Sequence, residues 1–216
     1  MEGKQILNIP VALAIFVAMA LIPMEASAKK KCYGYTNVHQ SDVQSFWSQA
    51  KLDVIRKCVA KYGINIESQL GFTPLHAAAA YSKDPAIVSY LIAKGADIRA
   101  QDNYGFTPLH LSVTRNKLEQ VTSMLIDAGA GLDVQDHYNR TPLHWSAIRS
   151  KTPEIFGLLI NKGASFAIKD ENGKTAFDLA HVNAYLKDTS VIKSLKQLLE
   201  DKGLLNLGEG LADDAN

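Results

Sequence analysis

Four stretches of this chain repeat in one register, and that period constrains the fold more than any other feature. Thr73-Pro74-Leu75-His76 recurs as Thr107-Pro108-Leu109-His110 and as Thr141-Pro142-Leu143-His144. Thr175-Ala176-Phe177-Asp178 follows as a degenerate fourth copy, and each step is 34 residues. Three further columns keep the same step: Gly95-Ala96, Gly129-Ala130 and Gly163-Ala164; Asp102, Asp136 and Asp170; Leu91-Ile92, Leu125-Ile126 and Leu159-Ile160. Self-similarity of this length belongs to stacked architectures, in which each unit buries its apolar face against the next.

Each motif has a mechanical reading. Threonine followed by proline starts a helix, because the hydroxyl caps a free N–H and proline at the first helical position has no N–H to lose. Leu75, Leu109, Leu143 and Phe177 then point into the core, and small residues such as Ala77-Ala78-Ala79-Ala80 let the next unit approach closely. Asp84-Pro85 and Thr152-Pro153 restart a second helix by the same device. Its apolar residues sit at i and i+4: Ile87 and Leu91, Val121 and Leu125, Ile155 and Leu159. Gly95, Gly129 and Gly163 stop that helix in a left-handed cap. The segments Ile98–Phe106 and Leu132–Arg140 form protruding hairpins turned at Asp-Asn-Tyr-Gly and Asp-His-Tyr-Asn.

A tetratricopeptide array has a period of 34 as well, but its Trp-x2-Leu-Gly-x2-Tyr pattern is missing. At Thr-Pro-Leu-His and Gly-Ala the chain resembles the ankyrin repeat family, over roughly residues 43–202. The usual period there is about 33. The extra residue falls in the turn between the paired helices: Ser82-Lys83-Asp84-Pro85, Asn116-Lys117-Leu118-Glu119 and Ser150-Lys151-Thr152-Pro153. The resemblance implies an all-α solenoid of helix-turn-helix units with hairpin loops. Residues 42–72 read as an N-terminal cap, 73–106, 107–140 and 141–174 as full repeats, and 175–202 as a C-terminal cap. In the first cap, Val43–Gln49 and Leu52–Tyr62 read as helices that present Phe46, Trp47, Val54, Ile55 and Val59. In the last, Phe177, Leu179, Ala180, Ile192, Leu195, Leu198 and Leu199 face inward. Lys193, Lys196, Gln197 and Glu200 form a wet outer face, and Val191 falls two residues late against Ile155.

The first 28 residues stand apart from the repeats. Ile6–Ile22 is an apolar run broken only by Asn8 and Pro10, preceded by Lys4 and followed by Pro23 and Ala26-Ser27-Ala28. These are the parts of a secretory signal, with cleavage expected after Ala28. The alternative is an uncleaved anchor: Lys29, Lys30 and Lys31 follow the run, and positive charge favours the cytoplasmic side. Cleavage leads to the periplasm or to secretion; an anchor leaves the repeats on the membrane, with lipid contact only through this segment. Residues 29–41 read as a flexible arm and 203–216 as a disordered tail. The combination also resembles small exported bacterial ankyrin repeat proteins.

Charge and cysteine count exclude other classes. Basic and acidic residues number 23 and 22, for a net charge of +1, so there is no electrostatic footprint for nucleic acid. Two cysteines cannot build a disulfide-rich scaffold or a four-cysteine zinc site. In an exported chain Cys32 and Cys58 can bridge; the other reading is one buried and one exposed thiol. No phosphate-binding glycine loop, His-Glu-x-x-His or Gly-x-Ser-x-Gly is present, and no cofactor or catalytic role is expected. The column His76, His110 and His144 looks like a metal ladder. The family resemblance makes it structural instead, its ring nitrogens bonding backbone and the neighbouring threonine, so no metal is expected.

What remains is a surface. The resemblance places the hairpin tips and the exposed side of the first helices on a concave face. That maps to Gln69, Leu70 and Phe72; to Asn103, Tyr104 and Phe106; to His137, Tyr138 and Arg140; and to Tyr81, Arg115 and Arg149. The last copy adds Glu171, Asn172 and Lys174. Aromatic and arginine side chains anchor protein interfaces, so the expected partner of a monomeric chain is another protein or a peptide. Phe72 and Phe106 have a second reading, as shields for the hairpin base. Trp145, in the slot of Ala77 and Leu111, reads as packing.

Overall fold

The computed structural model describes residues 40–116, 118–149 and 153–201. Ten helices are found among them: α1 Gln40–Gln49, α2 Leu52–Tyr62, α3 Pro74–Tyr81, α4 Pro85–Ala93, α5 Pro108–Arg115, α6 Glu119–Asp127, α7 Pro142–Arg149, α8 Pro153–Asn161, α9 Ala176–Val182 and α10 Ser190–Asp201. The odd-numbered helices stack on one another as one layer, and the even-numbered helices form a second layer behind them. The expected signal segment, Ala28, the arm as far as residue 39, Cys32 and the 203–216 tail lie outside the described residues. Among the described residues no helix is long and apolar enough to cross a membrane.

Local chemistry accounts for each element. Thr73 sits in extended backbone, its hydroxyl accepts from the His76 N–H, and Pro74 opens α3. Asp84 caps α4 in the same way, accepting from the Ala86 N–H at 3.0 Å. At the far end of α4 the Ala96 N–H returns to the Leu91 carbonyl and the Gly95 N–H to Ile92. This pair of bonds requires a left-handed residue, and Gly95 adopts φ 83°. Thr152, expected to cap α8, lies outside the described residues.

The core is one cluster running the length of the stack. Trp47, Ile55, Leu75, Ile87, Leu91, Leu109, Leu125, Leu143, Phe156 and Leu159 are fully buried. Ala77, Ala78, Ala79 and Ala80 are buried too, as close approach of α3 to its neighbours demands. The interhelical turns are also stapled between units. Asn116 donates its side-chain amide to the Ala79 and Ser82 carbonyls of the preceding unit, and Asn183 donates to Ala147.

The ends depart from the pattern in small ways. α1 starts at Gln40, three residues before the apolar pattern places it, within the ordinary spread of helix boundaries. Seven residues separate α9 from α10, where three separate α3 from α4. The late Val191 reflects that longer link. Leu186 within it is fully buried and fills a core position that periodicity alone does not reveal. Ile192 and Leu195 face inward as expected, and Lys193 and Gln197 face outward. Lys196 and Glu200 are half-buried rather than fully wet, and pair at 3.9 Å. The side chains of Leu198 and Leu199 lie outside the described ones.

Candidate interaction groove

The odd helices and the hairpins between units build one face. In each hairpin an aspartate closes the turn. Asp102 Oδ1 accepts from the Tyr104 and Phe106 N–H groups, Asp136 Oδ1 from Tyr138 and Arg140, and Asp170 Oδ1 from Asn172 and Lys174. All three aspartates are buried. For Asp170, burial pushes the carboxyl up, but the Lys174 and Asn172 N–H bonds and the Arg140 guanidinium outweigh it and hold the acid below its usual range. Successive hairpins then touch backbone to backbone, the Asn103 N–H donating to Leu70, His137 to Tyr104 and Glu171 to Tyr138. Gly105 permits this contact. A Cβ there would lie 2.9 Å from the Asp136 Cα, and its φ is 81°.

The histidine column is a staple between units. The Thr107 N–H donates to His110 Nδ1 at 3.1 Å, and His110 Nε2 donates to the Arg140 carbonyl of the next unit at 3.1 Å. His76 and His144 repeat the pattern with Phe106 and Lys174. A carbonyl only accepts and a backbone N–H only donates, so each ring is neutral with its proton on Nε2. Both nitrogens are thereby engaged within the fold, which accounts for the column without a metal. Burial holds all three rings below their ordinary range, His110 at about 4.

Between the hairpins and the odd helices runs a groove of about 500 Å³. Seven of the residues expected on a binding face line it: Leu70, Phe72, Tyr81, Tyr104, Phe106, Arg115 and Arg149. Leu70 and Tyr104 are 38% and 51% exposed at its rim. Phe72 and Phe106 fill both of their readings, half-buried against the His76 and His110 rings and still lining the groove. Arg115 lies over the Tyr81 ring and donates to its hydroxyl. Asn103, His137, Tyr138 and Arg140 lie outside the groove lining. The first three are exposed at the tips. Arg140 is half-buried, its Nε on Asp170 Oδ2 at 3.3 Å and its guanidinium over Tyr138 and Trp145.

Trp145 packs half-buried against the core, as expected, and it also forms a wall of the groove. Its ring meets Phe106 at 5.3 Å, its indole N–H donates to Asp136 Oδ2 at 2.6 Å, and Arg149 lies over it. The available signal was the size step in its column, from Ala77 through Leu111 to Trp145. Asp102, Val43, Ser68, Leu111 and Thr114 also line the groove and were not expected there.

Stacked two-helix units, protruding hairpins and a groove along one layer define a helical repeat solenoid. A family model described as "Ankyrin repeats (3 copies)" matches residues 46–136 and 114–204, and the chain belongs to the ankyrin repeat family. Comparison with curated proteins finds no match. Ankyrin repeats are generally protein-interaction modules.

Proposed function

We propose that the protein is a non-catalytic interaction module that holds a segment of another protein in the groove between its hairpins and odd helices. The observation that carries this reading is the groove itself, in which Tyr81, Tyr104, Phe106, Trp145, Arg115 and Arg149 converge. Rigid aromatics and arginines are the side chains that dominate binding energy at interfaces. The mechanism is shape and side-chain complementarity on a stiff scaffold, with no cofactor and no covalent step. The protein acts as a monomer.

The reading extends to location through the first 28 residues. Cleavage after Ala28 exports the repeats to the periplasm or beyond, and there Cys32 bridges Cys58. The support is that Cys58 is fully buried in α2 and that no free cysteine is found among the described residues. N-terminal mass determination tests export, with Lys29 as the expected first residue. An intact Met1 in purified membranes favours the anchored form with cytoplasmic repeats. Two reactive thiols in denatured, unreduced protein would refute the bridge.

Leu70→Ser with Tyr104→Ala tests the binding face, because both side chains are exposed at the rim. Capture of the native partner falls at least tenfold while helicity and Tm stay unchanged. Undiminished capture moves the site off this face.

A further inference from the structure

The three hairpin aspartates form a ladder of equivalent positions, each with one oxygen spent on its own turn. The second oxygen has a different fate in each copy. Asp136 Oδ2 takes the Trp145 indole N–H, and Asp170 Oδ2 takes Arg140 Nε. At Asp102 the register puts Leu111 in the place of that tryptophan and Phe72 in the place of that arginine, and neither side chain can donate. Asp102 Oδ2 has no hydrogen-bond partner among the described residues; the residue as a whole is 6% exposed, and this oxygen stays open to solvent. Asp102 is also the aspartate of the ladder that lines the groove.

Resting on the interaction reading above, we infer that this carboxylate receives an arginine side chain of the partner segment. The chain itself displays the chemistry two units away, where Arg140 meets Asp170 and lies over aromatic rings at 5.2 and 5.7 Å. The groove around Asp102 supplies Phe72, Tyr104 and Phe106 as walls. A guanidinium stacks on such rings while its edge donates to the oxygen, whereas an ammonium has no plane to stack. The groove's own arginines do not oppose this. Arg115 and Arg149 end α5 and α7, about 10 Å along the helix from the hairpins. The groove is therefore polar along its length, acid at the hairpins and guanidinium at the helix ends, and it orients a segment whose arginine is separated from a carboxylate by about three extended residues.

The test selects peptides from a random dodecapeptide display library on the full chain. Binders are then resynthesised with each arginine replaced by citrulline or by lysine. The inference expects a common arginine, a loss of at least tenfold on citrulline replacement and a clear loss on lysine replacement. It expects the citrulline effect to vanish in Asp102→Asn and to persist in Asp136→Asn. Asparagine keeps the Oδ1 acceptor of the turn, and an unchanged Tm verifies it; if that variant does not fold, the citrulline series on the unaltered chain decides alone. Binders that need Leu70 and Tyr104 but no arginine, or that accept lysine or citrulline equally, overturn the arginine site and leave the interaction reading standing. Binders indifferent to Leu70→Ser with Tyr104→Ala, or no binders at all, contradict the interaction reading and this inference with it.

Discussion

The unit at 107–140 and the terminal copy that starts at Thr175 share a start signal but differ in what it must do. In the inner unit the third helical residue is His110. Its ring closes the cap with Thr107 and reaches across to the Arg140 carbonyl. In the terminal copy that residue is Asp178, which accepts from the Thr175 N–H and hydroxyl at 2.8 and 2.7 Å and, among the described residues, bonds to no further unit. The hairpins differ in the same sense. Gly105 is pressed against the next hairpin, whereas a Cβ on Gly173 would meet nothing within 4 Å. Among the described residues the last copy keeps the local half of the motif and lacks the half that joins units.

Paired substitutions sharpen this contrast. The largest difference is expected at the glycines. Gly105→Ala forces a Cβ into backbone and a left-handed residue at once, and loses about 3 kcal/mol or more. Gly173→Ala meets only the backbone penalty, about 1 kcal/mol. Urea unfolding of the two variants checks this, and equal losses would mean that the two hairpins are packed alike. Next come the capping residues. His110→Ala strips a cap and an inter-unit bond from a fully buried site and is expected to lose about 3 kcal/mol. Asp178→Ala removes an exposed cap alone, about 1 kcal/mol.

A smaller, graded effect is expected with pH. The folded state holds His76, His110 and His144 neutral, with values below the 6.5 of a free ring. The unfolded chain therefore binds more protons as pH falls below 6.5, and stability declines with it. Above pH 6.5 this contribution is complete; it is lost as pH drops through 6.5 toward the value of about 4 held by His110. Thermal melts at fixed ionic strength should show a Tm that falls over that window. A flat Tm from pH 7 to 4 would contradict the neutral, proton-on-Nε2 assignment.

Most of the scaffold was legible in the sequence because its signals are local. Thr-Pro starts and Gly-Ala stops need only their own turn of backbone, and the 34-residue step repeats them. Leu186 was not legible, because it plugs the core from an irregular link with no periodicity of its own. The groove was legible in part. Exposed Tyr104 and Leu70 follow from hairpin-tip positions, whereas Trp145 and Asp102 depend on differences between units. A repeat pattern identifies what units share; the proposed binding face is set where they diverge, at Leu111 against Trp145 and at Phe72 against Arg140.

On the proposed function, this divergent face, and not the outer layer of even helices, meets the partner. Site-specific photo-crosslinking in native cells tests it most directly, with a benzophenone side chain placed at residue 104 in the groove or at residue 89, an exposed position on α4. A discrete partner adduct is expected from position 104, suppressed by a groove-binding peptide, and none from position 89. Adducts from position 89 with none from position 104 would contradict it.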